Sequence, residues 1–280
     1  MADLPAPLSG RNPRITTLRR LLGRRSARLD ARRVVLEGRT LLDEAVAASA
    51  SGGPALVEVY VDADAPDVAE VLRLAERAGA TPFVVQAGTV ARVASTTTPQ
   101  PVLAVATMPH HDLTAVAAAA PDAASVLVLV DVADPGNVGT LVRSAAAAGA
   151  HGVVTCGATA DPWGPKAVRA SAGAVLRTPV VPLAPADADP VAAVDAVVAA
   201  FGARTVGTVV AGGVPPDALD LATGRVALLV GNEAHGLPAE VLEVLDATTT
   251  VPMAAGTESL NAAMAGTVVL FEAARQRRAS

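Results

Sequence analysis

The stretch VLVLVDVADPGNVGTLVR, residues 126–143, decides the fold. It opens with a nearly unbroken run of Val and Leu, a strand that is apolar on both faces. Strands of that kind belong to parallel sheets covered by helices on either side. The Asp-Pro-Gly-Asn that follows is a turn, and a helix is expected over about 137–148. The same alternation continues downstream. HGVVTC (151–156) reads as a strand, with helices near 163–172 and 190–202. RTVGTVVAG (204–212) and VALLVG (226–231) read as strands, VLEVL (241–245) as a short helix, ATTTVPM (247–253) as a last strand and 259–276 as a long helix. The expectation is an α/β domain built on a mostly parallel sheet.

Upstream the pattern is less regular. Ile15, Leu18, Leu21 and Leu22 recur at helical spacing among arginines, so roughly 14–28 read as one amphipathic basic helix. A helix near 36–49, a strand at LVEVYV (56–61), a helix near 66–78 and strands near 82–85 and 102–106 complete a second, smaller α/β domain. MPHHDLTAVAAAAPDAA (108–124), which mixes Pro, polar residues and Ala, reads as a linker. The expected boundaries are 1–107, a linker over 108–123, and 124–280.

Composition narrows the function. Hydrophobic residues make up 51% of the 280, yet the longest apolar runs are broken by Gly, Pro, Asp or Arg well short of the roughly 20 a spanning helix needs. The N-terminus has no apolar segment like that of a signal peptide. A soluble cytoplasmic protein, with no membrane partner, is expected. One cysteine, Cys156 at the end of an apolar strand, rules out an internal disulfide framework and reads as a buried structural thiol. The four histidines, His110 and His111 adjacent and His151 and His235 apart, show no metal-ligand spacing, and no metal is expected. Residues 1–33 hold nine arginines against Asp3 and Asp30, a net charge of +7, which leaves −12 for the rest of a chain totalling −5. A concentrated arginine block on an acidic protein fits a phosphate-rich partner, although a merely solvated basic helix has the same composition. Arg19, Arg20, Arg24 and Arg25 are the candidate contacts to such a partner.

In parallel sheets, ligands sit beyond the carboxyl ends of strands. Three turns there carry the unusual polar residues: DPGNVGTLVR (134–143), GNEAHGLP (231–238) and VPMAAGTESLN (251–261). Alone, each has a plain reading. Asn137 is a good helix N-cap, Arg143 falls six residues on near the same face, Glu233 follows a buried strand, and Ser259 is a possible cap beside Glu258 and Asn261. The spacing does not give the GxGxxG of dinucleotide-binding folds, which weakens a Rossmann oxidoreductase reading.

In order and spacing the three turns resemble the motifs of the SpoU family of RNA ribose 2′-O-methyltransferases, a branch of the SPOUT class. NVGTLVR is similar to the first motif, LLVGNEAHGL to the second and VPMAAGTESLNAAMA to the third, while RASAGA (169–174) fits a segment between the first two. More loosely, residues 15–46 are similar to the start of an L30e-like RNA-binding domain found in many ribosomal-RNA members. The resemblance implies a parallel α/β sheet ending in a trefoil knot, S-adenosylmethionine as cofactor, and a homodimer. It implies RNA as substrate, 23S ribosomal RNA above transfer RNA; a non-catalytic RNA-binding protein is disfavoured because the motif residues are intact. Carried over by position, Asn137, Arg143, Arg169, Glu233, Ser259 and Asn261 become catalytic candidates. Thr208, Gly212, Gly231, Val251, Met253 and Leu260 become cofactor contacts, made mainly through the backbone. Arginine is effectively always protonated, so Arg143 is expected to stabilise and position the reacting hydroxyl and not to act as a base.

Overall fold

A computed structural model describes residues 6–183, 189–257 and 259–279. Its compact units are 1–109 with 163–177, and 110–162 with 178–280.

The first unit opens with α1 (Pro13–Gly23), capped by Asn12 and burying Ile15, Leu18, Leu21 and Leu22. The helix expected over 14–28 is in fact two. Arg24 is extended (φ −130°, ψ 121°), and α2 (Arg25–Ala31) starts anew. The buried Arg28 guanidinium donates to the carbonyls of Leu21 (2.6 Å) and Leu22 (3.3 Å), satisfying orphan acceptors at the end of α1 and setting the elbow. Next come β1 (Arg33–Glu37) and α3 (Arg39–Ala50), where a helix from residue 36 was expected. VVLE is too short to show periodicity, and its pairing with a strand seventy residues away decides the matter. The unit continues with β2 (Leu56–Asp62), α4 (Val68–Arg77), β3 (Thr81–Val85), α5 (Thr89–Val93) and β4 (Val102–Thr107). The sheet order is β1-β4-β2-β3, with only β2 and β3 parallel.

The second unit begins inside the stretch read as a linker. Asp112 caps α6 (Leu113–Ala119), whose Val116 and Ala117 are buried in the core. Alanine is the best helix former, so polar flanks concealed a helix held by packing. Then follow β5 (Ala124–Val130), α7 (Pro135–Ala147) and β6 (Gly152–Cys156). The next helix, α8 (Pro165–Ala170), belongs with the first unit. The second unit resumes with β7 (Val180–Pro182), α9 (Pro190–Phe201), β8 (Arg204–Thr208), β9 (Arg225–Val230), α10 (Ala239–Glu243), β10 (Ala247–Thr249) and α11 (Ala262–Ala279). All six strands are parallel, in the order β10-β8-β9-β5-β6-β7. Every residue of β5 is buried, as its place between β9 and β6 demands. Cys156 is buried here, and burial, with nearby Asp131 adding to it, pushes its thiol up to about 12, so it is inert at neutral pH. Helix α11 packs on α7 and β9 through Gly266, where a Cβ would come within 2.8 Å of both Leu141 and Val230. Among the described residues no helix is long and apolar enough to cross a membrane.

Candidate active site

Three loops at the carboxyl ends of strands in the second unit meet, and hydrogen bonds join them. The first runs from β5 into α7. Asp134, not Asn137, caps that helix, its carboxylate accepting the Asn137 N–H at 3.0 Å, with Pro135 in the first turn. Asn137 is therefore inside the helix with its side chain free for other work. Its amide donates to Glu233 (2.8 Å) and its oxygen accepts from the Asn261 amide (3.1 Å). Those partners lie 96 and 124 residues away.

Glu233 is the hub of the second loop. One carboxylate oxygen accepts the Asp134 N–H and the Asn137 amide, and the other accepts the Ala133 N–H, at 2.8–3.0 Å. Burial pushes this carboxyl up, but the Asn137 amide and the backbone donors outweigh it and hold the group below its ordinary value. Glu233 is thus an ionised clamp whose two oxygens are both engaged. Asn232 was not foreseen as a site residue. Its amide donates to the Asp131 carbonyl (2.9 Å), and its oxygen accepts from the backbone of Ala234 and His235. An Asn after a Gly at a strand end is a turn former, which was the available signal. Gly231 must be glycine because a Cβ there would lie 2.3–2.5 Å from the Gly236–Leu237 backbone.

In the third loop Asn261 caps α11, its oxygen accepting from Ala263 (2.9 Å) and Met264 (3.2 Å). Ser259 is accordingly not the cap. Glu258 lies outside the described residues.

Beside this junction is a cavity of about 530 Å³. Of the expected cofactor contacts, Thr208, Gly231, Val251, Met253 and Leu260 line it, as do Ser259 and Glu233. His235 lines it too, its ring nitrogen 3.2 Å from the Asn232 oxygen. Gly212 does not; it sits in a turn with φ +81°. The walls are Val, Leu, Met and backbone with a few polar groups, and the volume is in the roughly 300–1,000 Å³ range of small-molecule sites. A cationic ligand carrying an apolar ring system suits this lining and the adjacent carboxylate.

Two expected residues stand apart from the cavity. Arg143 is exposed on α7 and makes no hydrogen bond or ion pair with any described residue. Six helical residues from Asn137 place it about 9 Å along the axis and about 120° around it, so the two do not share a face. Arg169 is in the first unit, where its guanidinium donates to Glu37 and, at 2.7 Å, to Ser95. Of the expected RNA contacts, Arg20, Arg24 and Arg25 are exposed without partners among the described residues, and Arg19 reaches the Gly10 carbonyl at 3.4 Å.

Residues 124–271 match the SpoU rRNA Methylase family. A 23S rRNA (uridine(2479)-2′-O)-methyltransferase from Streptomyces viridochromogenes is 40% identical over 185 residues, which are 64% of this chain and 61% of that one. The matches span about half to two thirds of the curated relatives' length. The structure of the SpoU methyltransferase AviRb from the same species, in complex with AdoMet, superposes with a TM-score of 0.82 at 31% identity, covering 96% of this chain and 100% of that one. The AdoMet-bound rRNA methyltransferase of Sinorhizobium meliloti gives 0.78 at 29%, covering 94% and 95%.

Proposed function

Given that the chain belongs to the SpoU rRNA methylase family, we propose that it methylates a ribose 2′-hydroxyl in structured RNA, with 23S ribosomal RNA as the substrate and S-adenosylmethionine as the donor. The observation that carries this reading is the Asn137–Glu233–Asn261 junction beside a cavity of about 530 Å³. When bound, the cofactor supplies an electrophilic methyl group on a sulfonium. Gly231, Val251, Met253 and Leu260, with Thr208, would hold its adenosine part, mainly through backbone groups. The ionised Glu233 adds negative charge to the cavity lining, and with Asn137 and Asn261 it keeps the three loops in register. Ser259 offers an exposed hydroxyl in the same lining.

A ribose hydroxyl is a weak nucleophile at neutral pH, and negative charge grows on its oxygen as the proton leaves. Arg143, without a partner among the described residues and permanently charged, stabilises that oxygen. The proton passes to water or to an RNA phosphate oxygen. Arg169, ion-paired with Glu37, contributes to RNA binding. The second unit carries the chain's catalytic part, with a knotted C-terminal segment. The first, including Arg19, Arg20, Arg24 and Arg25, binds RNA as an L30e-like domain. We further propose a cytoplasmic homodimer. Helix α11 buries one face in its own unit and exposes Met264, Val268 and Phe271, each 43–48% accessible, on another. An apolar stripe of this kind suits a second copy of the chain.

The test is methyl transfer from labelled S-adenosylmethionine to 23S rRNA and to transfer RNA, followed by mapping of 2′-O-methyl positions. Label in 23S rRNA is expected. Label confined to transfer RNA would redirect the substrate, and no transfer to either would sink the reading. Arg143→Ala is expected to bind the cofactor within about twofold of wild type and to lose roughly 10²–10³-fold in turnover.

A further inference from the structure

The elbow between α1 and α2 encloses a cleft of about 440 Å³ in the first unit, walled by Arg20, Arg24, Ser26, Ala27, Asp30 and Ala31. Three observations set it apart from the rest of the arginine-rich surface. First, the structure sorts the arginines. Arg14 is paired with Glu58 and lies over the Phe83 ring, Arg28 is spent on the end of α1, and Arg39 is surrounded by Asp43, Asp67 and Glu70. Arg20 and Arg24, one helical turn apart, are exposed with no partner among the described residues, and both face the cleft. Second, the geometry is held from behind, because the Arg28 bonds to Leu21 and Leu22 fix α2 against the end of α1. Third, the wall holds one carboxylate, Asp30, which is also exposed and pairs with neither arginine.

A bare phosphate would be served better by a wall without that carboxylate. A ligand that brings an anion and a hydrogen-bond donor together uses both. An RNA nucleotide does, since its phosphate adjoins a ribose whose 2′-hydroxyl donates; DNA lacks that donor. We propose that the α1–α2 elbow is a one-nucleotide RNA subsite. Arg20 and Arg24 take the phosphate, and Asp30 accepts from the ribose 2′-hydroxyl. The inference rests on the RNA substrate proposed above and adds where, and by what chemistry, the first unit distinguishes RNA from DNA.

Fluorescence anisotropy on the full chain tests it, with a labelled 23S rRNA hairpin transcript and a DNA hairpin of the same sequence, across a salt series. Replacing both arginines (R20A with R24A) is expected to weaken RNA binding roughly 10- to 100-fold at low salt. It should also flatten the slope of log affinity against log salt by about 1, as expected for the single phosphate that the two arginines share. Asp30→Ala is expected to strengthen DNA binding by ordinary electrostatics without strengthening RNA binding, narrowing the RNA-to-DNA ratio about fivefold or more. Asp30→Asn, which keeps an acceptor, is expected to give an intermediate ratio. A salt slope unchanged in the double variant, or an RNA-to-DNA ratio unchanged in Asp30→Ala, overturns the subsite. Wild-type methyl transfer and calorimetric S-adenosylmethionine binding, run alongside, separate the two claims. A protein that methylates RNA while its variants bind like wild type loses only the subsite. A protein that shows these slopes and ratios but transfers no methyl loses only the enzymatic reading.

Discussion

Replacing Gly231 with alanine puts a methyl group where the backbone of the second loop already lies. The new Cβ would stand 2.3 Å from the Gly236 carbonyl carbon and 2.4 Å from the Leu237 nitrogen, against an ordinary contact of 3.4–4 Å. The obstacle is main chain, so it cannot swing aside as a side chain would. The loop must open by about 1 Å, and the paired bonds between Asn232 and Gly236, both 2.9 Å, are lost or stretched. Overpacking typically costs about 1–3 kcal/mol, and each lost backbone bond about 0.5–1.5 kcal/mol, so a net loss of about 2–4 kcal/mol in unfolding free energy is expected. The same loop lines the cavity and carries Glu233, so affinity for S-adenosylmethionine should fall at least tenfold, equivalent to about 1.4 kcal/mol. Denaturant unfolding and calorimetry measure the two effects. Gly23→Ala is the control, since nothing lies within 4 Å of that position. A Gly231→Ala protein within about 0.5 kcal/mol of wild type, with unchanged affinity, would refute the reasoning that close backbone approach shapes this loop.

Glu233→Gln keeps the size but turns one acceptor into a donor facing backbone N–H groups. Stability should drop by about 1–2 kcal/mol after allowing for solvent, with weaker cofactor binding, and wild-type values for both would show that the clamp is dispensable. The carboxyl is also held below its ordinary value in the folded protein. Its stabilisation is therefore fully present above the unfolded value, near 4.3, and fades as pH falls through the folded one; the Gln variant should lack that part of the acid limb in a pH series of melting temperatures. Glu272, lowered to about 2 by hydrogen bonds from Arg275 and Gln276, contributes in the same direction. Glu272→Gln should flatten the stability profile between about pH 4 and 2, and an identical profile would count against the pairing. Val268→Asp with Phe271→Asp should leave a folded monomer by light scattering, whereas a persisting dimer would place the interface off this face of α11.

The parallel sheet was legible because its evidence is local. A strand buried on both faces is written as consecutive apolar residues, and β5 shows this from end to end. The three polar loops stood out for a related reason: in an apolar half, Asn, Glu and Ser gathered at strand ends are conspicuous. Motif spacing linked them before any geometry was known, and Asn137, Glu233 and Asn261 are in direct contact. Other features had no local signature. Strand β1 exists through its pairing with β4, and α6 keeps its helix by burying Val116 and Ala117. The break at Arg24 depends on Arg28 reaching back across the elbow.

Sequence alone thus determined the layered α/β class, the three loops and the arginine-rich end, since periodicity, turn chemistry and charge act over a few residues. Tertiary structure decided which side chains spend their hydrogen bonds on one another. It brought Asn137 to Glu233 and Asn261, filled both oxygens of Glu233, paired Arg169 with Glu37 and left Arg143 without a partner among the described residues. Those assignments depend on distances between groups as much as 132 residues apart. Only the folded chain brings such groups within reach, and hydrogen bonding and ion pairing fall off within a few ångströms.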